Sequence, residues 1–266
     1  MTIVQAIIIA IVEGLTEFLP ISSTAHMKFA NPLVGVQPSP FTDMFEVVIQ
    51  LAAILSVVLL YWKKFFDFRH FSFYIKLVVG VIPALIVGAL FKKYIDQALG
   101  NLVFISVVMI VGGVVLLFID RFFRSNIIDD ERRISYPKAF VIGCFQVLAI
   151  VFPGLSRSAA TIIGGMSQKL TRRLAAEFSF FLAVPTMLAA SVKSFYDVYK
   201  EHPEVLVKDN FTVLGIGALV SFVVALAAVK FFIGFLQKHG FRAFGFYRIL
   251  IGLVFLALIF WGHLGQ

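Results

Sequence analysis

Glu13-Gly-Leu-Thr-Glu17-Phe-Leu-Pro20-Ile-Ser22-Ser23-Thr24-Ala-His26 follows directly on Ile3-Val-Gln-Ala-Ile-Ile-Ile-Ala-Ile-Val12, a run that is almost pure hydrocarbon. Two carboxylates, three hydroxyls and an imidazole thus interrupt an apolar segment. Unsatisfied polar groups at membrane depth cost several kcal/mol each, so residues of this kind face a water-filled cavity or a partner and mark a functional site by default.

The rest of the chain agrees that the surroundings are a bilayer. Of its 266 residues 60% are hydrophobic and 14% charged, against roughly 25% charged in globular domains, and the mean hydropathy is +0.97. The apolar runs are long and do not alternate, which selects helices over an outer-membrane barrel. The net charge of +8 does not argue for nucleic acid, because the basic residues sit in short loops between apolar runs, where they set topology. The single cysteine, Cys144, excludes an internal disulfide and a multi-cysteine metal site, and is expected to pack as a small hydrophobe. The first twenty residues do not read as a cleavable signal, since no Lys or Arg precedes the apolar run and Glu13 interrupts it. The 31 phenylalanines are read as lipid-facing or gap-filling, with no chemistry assigned.

Six stretches are long enough to span, at about 44–62, 73–91, 102–120, 174–196, 211–236 and 244–262. Two more are apolar but broken. Residues 3–34 break at Pro20 and resume at Ser22, and residues 137–168 break at Pro153-Gly154 and resume at Ser156. Proline ends a hydrogen-bond ladder, and the serine after it is a natural N-cap for a new helix. The two breaks resemble each other: Phe18-Leu-Pro20-Ile-Ser22-Ser23-Thr24-Ala25 lines up with Val151-Phe-Pro153-Gly-Leu-Ser156-Arg157-Ser158-Ala159. Downstream, Glu46-Val-Val-Ile-Gln50-Leu-Ala lines up with Glu177-Phe-Ser-Phe-Phe-Leu-Ala.

The expected fold is therefore all-α and polytopic, a single membrane domain over 1–266 with two inverted-topology repeats. Repeat one covers about 1–124 and repeat two about 136–264, each a re-entrant helix–break–helix followed by three transmembrane helices. An odd number of full spans per half inverts the second half. Lys63, Lys64, Arg69, Arg121, Arg124, Arg132, Arg133, Lys138, Lys169, Arg172, Arg173, Lys238 and Arg242 then fall on one side, and Lys92, Lys93, Lys193, Lys200 and Lys208 on the other. The richer side is cytoplasmic by the positive-inside rule, which puts both termini outside.

Glu13 and Glu17 are four apart on one helix face. Either the face is solvated or, in apolar surroundings, a cation relieves the repulsion between them, and hard oxygen ligands suit Mg²⁺ or Ca²⁺. Ser22, Ser23 and Thr24 open the next half-helix; taken alone they need no role beyond capping, and beside the other polar groups Ser22 and Thr24 are expected to bind substrate phosphate. His26, three residues after Ser23, adds the pairing of hydroxyl and imidazole that activates a nucleophile, though an intramembrane histidine also serves as a plain helix–helix hydrogen bonder. Arg157 opposes the helix dipole at its N-terminus unless an anion binds there. With Ser156, Ser158, Thr161 and the exposed amides it makes a phosphate cradle, a cytoplasmic surface arginine being the alternative. An anion reaches such depth most readily on a lipid, so the chemistry points to a phosphorylated lipid.

These motifs resemble those of the bacterial undecaprenyl-diphosphate phosphatase family of the bacitracin-resistance type. Its EGxTEFLPxSSxxH and PGxSRSxxT patterns are matched by residues 13–26 and 153–161, and the similarity runs from the first residues to the final span. Ala25 and Ala159 stand where glycine is frequent in that family. The resemblance implies a phosphoric anhydride hydrolase of the inner membrane that turns undecaprenyl diphosphate into undecaprenyl phosphate and inorganic phosphate. It would recycle the carrier for cell-wall glycan synthesis through a pocket open to the outer face. It further implies catalytic roles for Glu13, Glu17, Ser23, His26 and Arg157, a divalent cation at Glu13 and Glu17, and competition with bacitracin for the substrate, and it is compatible with an oligomer. Ser23 either attacks or orients a water, and His26 is either base or proton donor. A transporter or flippase of polyprenyl phosphate is the alternative, since inverted repeats with broken helices are transporter architecture. A carrier, however, needs charge recognition and no nucleophile.

Overall fold

The structure is a computed structural model that describes residues 1–67, 69, 71–123 and 126–262. Arg124, counted above among the loop charges, and the end of the expected second repeat lie outside the described residues. Among the described residues there are twelve α-helices, two short 3-10 turns and no strand.

Among the described residues, six helices are long and apolar enough to cross a membrane: α3 (Pro40–Leu60), α5 (Phe71–Leu90), α7 (Leu102–Phe122), α10 (Arg172–Glu201), α11 (Lys208–His239) and α12 (Arg242–Phe260). They coincide with the six expected spans, and the chain is a multi-pass membrane protein. The broken segments are α1 (Ile3–Thr16) with α2 (Ser23–Leu33), and α8 (Tyr136–Val151) with α9 (Arg157–Ser167). Two short helices escaped the sequence reading, α4 (Trp62–Phe65) and α6 (Lys92–Leu99), because neither is long enough to show a period.

The order of a short pair, a break and three long helices thus occurs twice. Packing follows the same order with the halves exchanged: α1 lies along α11, α8 along α5, and α7 along α12. Each of these contacts is close enough to need glycine. A Cβ on Gly14 would fall 2.7 Å from the Ser221 carbonyl of α11, one on Gly245 2.8 Å from the Gly113 carbonyl of α7, and one on Gly143 would collide with the Gly80 carbonyl of α5. Close backbone approach through small residues is the usual means of helix association where lipid is as apolar as the side chains.

Each second half-helix is tied to the long helix that follows it. Asn31 donates to Glu46 Oε1 at 2.5 Å and Lys28 pairs with Glu46 Oε2 at 3.0 Å, joining α2 to α3. On the other side Thr161 and Ser179 share a hydrogen bond of 2.5 Å between α9 and α10. Asn126 closes the far end of α9 by donating to the Met166 and Leu170 carbonyls. Among the described residues, the loop ion pairs do not cross between the two sides drawn from the sequence. Lys64 meets Glu131, Arg172 meets Asp120 and Arg173 meets Asp129, whereas Lys92 and Lys193 share Asp197.

Two expectations are corrected. Helix α1 stops four residues before Pro20 rather than at it, because residues 17–21 form a turn; a proline removes a donor and pushes its predecessor out of the helical region. Cys144 is exposed on α8 rather than packed inside. In lipid an outward face is itself apolar, and a thiol is at home there.

Candidate active site

Both breaks end in the same unusual backbone. Ser22 and Ser156, the N-caps of α2 and α9, have φ of 71° and 75°, in the left-handed region that side chains avoid. Holding a non-glycine residue there costs on the order of 1–3 kcal/mol and persists only where the surroundings enforce it. Each serine hydroxyl accepts the amide of the residue three further on, Ala25 and Ala159, at 3.3 Å. The first amides of each helix, those of Ser23 and Thr24 and of Arg157 and Ser158, have no partner within their own helix. They make two anion-attracting ends.

The breaks meet. Arg157 Nη2 donates to Glu17 Oε1 at 2.5 Å, an ion pair between residues 140 apart in sequence. Ser23 Oγ donates to the other oxygen of the same carboxylate. Ser158 Oγ donates to the Leu19 carbonyl at 3.0 Å. Glu17 is therefore the hub, with the hydroxyl of one half and the guanidinium of the other on its two oxygens.

A cavity of about 660 Å³ opens onto this hub. Glu17, Ser22, Ser23, Thr24, Ser156 and Arg157 form its polar floor. Its walls are apolar and small, with Ala84, Gly88 and Ala89 from α5 facing Ala189 and Ala190 from α10. It extends to Ile95 and Leu99 of α6 and to Lys193, at the end of the bundle that carries Lys92. Gln50 and the pair Gln146–Thr186, joined at 3.2 Å, add neutral polar groups to the wall. A charged head and an apolar tail fit such a space together.

Not every expected residue reaches it. Glu13 lies one turn behind Glu17 on α1, fully buried, and its two oxygens have no hydrogen-bond partner. His26 does not pair with Ser23. Its Nδ1 lies 2.7 Å from the Ser22 carbonyl and its Nε2 2.9 Å from the Tyr247 hydroxyl, and the ring stacks on Tyr247. A carbonyl only accepts, so Nδ1 carries a hydrogen and donates it to Ser22, while Nε2 shares its hydrogen bond with the Tyr247 hydroxyl. Three residues along a helix turn the ring away from Ser23 towards α12. Thr161 is also turned inward, donating to the Arg157 carbonyl at 2.8 Å, and Ser158 is occupied by Leu19 and Ser156. Both shape the cradle from behind and do not line the cavity.

The expected cation has a chemically suitable place. Two carboxylates lie on one face of α1, and the nearer-to-core one, Glu13, has both oxygens unspent. Among the described residues no set of three His, Cys, Asp or Glu side chains forms a metal cluster. A hard cation held by two carboxylates takes its remaining oxygens from hydroxyls, water and substrate phosphate, the way Mg²⁺ is commonly bound.

Arg248 was missed by the sequence reading. It is fully buried in α12, and its guanidinium lies between the two breaks. The available signal was an arginine inside an apolar span at 244–262, away from any loop.

These features define a helical, multi-pass membrane protein with a charged cleft made where two broken helices meet. The model of the bacitracin resistance protein BacA family matches residues 6–254, and the chain belongs to that family. A relative from Flavobacterium psychrophilum is 53% identical over 263 residues, covering 99% of this chain and 98% of its own, and is named undecaprenyl-diphosphatase. Relatives of the same name from Porphyromonas gingivalis strain W83, at 51% identity with 98% of both chains covered, and from Bdellovibrio bacteriovorus, at 44% with 99% and 98% covered, are similar along the same length.

If Glu17 rather than His26 serves Ser23, the two can be separated. Glu17→Gln should lower turnover by two orders of magnitude or more, since it disrupts the placement of both Ser23 and Arg157. Tyr247→Phe, which removes one neutral hydrogen bond from His26, should cost at most about tenfold. Equal losses in steady-state phosphate release would contradict the assignment.

Proposed function

We propose that this chain hydrolyses undecaprenyl diphosphate to undecaprenyl phosphate and inorganic phosphate. The observation that carries the reading is the convergence of Ser23 and Arg157 on one carboxylate, Glu17, at the floor of an otherwise apolar cavity. The curated name shared by relatives of full length supports the same activity.

The chain's own groups divide the work as follows. Arg157 carries five N–H donors, and Glu17 engages one of its nitrogens. A diphosphate entering the cavity meets the rest, together with the amide ends of α2 and α9, and these fixed donors stabilise charge on the transferring group. Ser23 Oγ attacks the terminal phosphorus while Glu17 takes its proton, and the bond to the bridging oxygen breaks so that lipid monophosphate leaves. Water then cleaves the phosphoserine and restores the hydroxyl. As the guanidinium turns to the phosphate it releases one Glu17 oxygen, while the other keeps the Ser23 hydroxyl. Glu13 and Glu17 would hold a divalent cation, Mg²⁺ or Ca²⁺, which neutralises diphosphate oxygens when bound. His26, held by Tyr247 and Ser22, acts at one remove by fixing α2. A carrier of polyprenyl phosphate would have no use for a hydroxyl held on a carboxylate, and the flippase reading is not favoured.

We further infer that the two halves are inverted repeats over about 1–124 and 136–264 in the bacterial inner membrane, with both termini outside. The repeated order of elements, the matching left-handed caps at Ser22 and Ser156, and the separation of loop charges support this arrangement. The cavity then opens outward at Lys193, where lipid diphosphate is left after glycan transfer, and bacitracin competes there for the same substrate. The product monophosphate returns to peptidoglycan synthesis.

Purified protein in detergent should release phosphate from a polyprenyl diphosphate, and a chelator should suppress the release. Arg157→Ala should reduce turnover ~10²–10³-fold, the worth of one donor aimed at developing charge. Glu13→Gln should raise the cation concentration needed, and rapid quenching should trap phosphate on Ser23. No release by the wild-type chain defeats the activity, whereas release without a phosphoserine defeats only the covalent step. For sidedness, cysteines placed at 129–133 after Cys144→Ser should react with an impermeant reagent from the cytoplasmic side; reaction from outside would overturn the inverted arrangement.

A further inference from the structure

Arg248 has no carboxylate among its hydrogen-bond partners. Its Nε donates to the Met109 carbonyl at 3.2 Å, Nη1 to the carbonyls of Pro20 at 3.1 Å and Leu155 at 2.6 Å, and Nη2 to those of Gly154 at 2.8 Å and Val108 at 3.5 Å. A guanidinium has one N–H on Nε and two on each Nη. Five donors thus meet five backbone carbonyls, from the first break, the second break and α7. Burying a cation without a counter-charge is tolerable only when its donors are fully used, and here they are.

Three of the carbonyls it collects, those of Pro20, Gly154 and Leu155, belong to the turns at the breaks, and the other two to the middle of α7. A turn inside an apolar medium leaves carbonyls that no helix ladder pairs. Carbonyls of both turns meet at this one point, where like partial charges would hold them apart. One planar cation between them satisfies the carbonyls and removes the repulsion. Few side chains can do this, because an ammonium has three donors on one point rather than five in a plane. The close contact of Gly113 with Gly245 brings α7 and α12 near enough for the side chain to reach.

We propose that Arg248 is a positioning residue of the phosphatase site: it fixes the two breaks against each other and so sets where Arg157 stands relative to Ser23 and Glu17. The inference rests on the phosphatase reading above. Pro20 precedes Ser23 by three residues and Leu155 precedes Arg157 by two, so a shift of either carbonyl passes directly to the reacting groups. The other links between the breaks are the Ser158–Leu19 hydrogen bond and the Arg157–Glu17 pair. The second is given up when Arg157 turns to a phosphate. During turnover Arg248 is then the chief tie that does not touch substrate.

The test uses two substitutions in the full chain, with steady-state phosphate release and thermal melting in detergent. Arg248→Lys keeps the charge and loses the fork. Gly112→Ala keeps the arginine but places a methyl against its Nη2 and 2.9 Å from its Cζ, and it remains informative if Arg248→Lys does not fold. Both should lower kcat on the order of a hundredfold, the effect of a misplacement of about 1 Å, and both should raise KM, because the phosphate anchor moves. In a double-mutant cycle each should be less than additive with Arg157→Lys. An unchanged KM with Vmax falling only in proportion to the folded fraction, and additive effects with Arg157→Lys, would reduce Arg248 to a structural role and overturn the proposal. So would unchanged kinetics in both variants. Wild-type activity in the same assay separates this failure from a failure of the phosphatase reading.

Discussion

A helix broken inside a bilayer must find partners for the backbone groups that the break sets free, and the rest of this structure is arranged around that requirement. Water is not at hand to bond them, so each orphan amide or carbonyl has to be met by protein or by ligand. Here the two kinds of group are handled separately. Carbonyls of the two turns converge on Arg248 and Ser158. The amide ends open into the cavity, capped in part by Ser22 and Ser156. What remains unsatisfied is positive and points at the space where an anion would lie. The break is thus both the structural difficulty and the source of the site.

Charge in the cleft is arranged so that binding and chemistry depend on each other. Glu17 serves Ser23 and Arg157 at once, so the carboxylate that holds the hydroxyl also holds the phosphate-reading arginine. An arriving phosphate draws the guanidinium away and leaves the hydroxyl on its own oxygen. Glu13, buried behind with unspent oxygens, has no such partner, which suits it to a cation. The apolar walls from α5 and α10 serve the other end of the substrate.

The six spans, both breaks and both capping serines were legible in the sequence, because each rests on local chemistry: length of apolar run, proline, and a hydroxyl after it. The polar groups that would gather were legible by type, since their presence at depth has no cheap explanation. Their pairing was not. Spacing of three put Ser23 with His26, whereas the fold gives Ser23 to Glu17 and His26 to Tyr247, 221 residues away in sequence. Arg157 was legible as an anion binder, but its resting partner belongs to the other half of the chain. Arg248 was passed over because its partners are main-chain carbonyls, which leave no trace in the pattern of side chains. Sequence spacing reports neighbours on one element; contacts between halves depend on how the elements cross.

The most direct measurement of the central claim is whether the two breaks touch. With Cys144 replaced, Leu19→Cys and Ser158→Cys place one thiol on each break, at residues whose atoms share a 3.0 Å hydrogen bond. A short bifunctional thiol reagent should join them within a single chain in detergent, giving one internal cross-link and no linked dimer. Failure of these thiols to join in the folded, active protein, while each alone reacts with a monofunctional reagent, would mean that the breaks do not meet and that no common site exists between them.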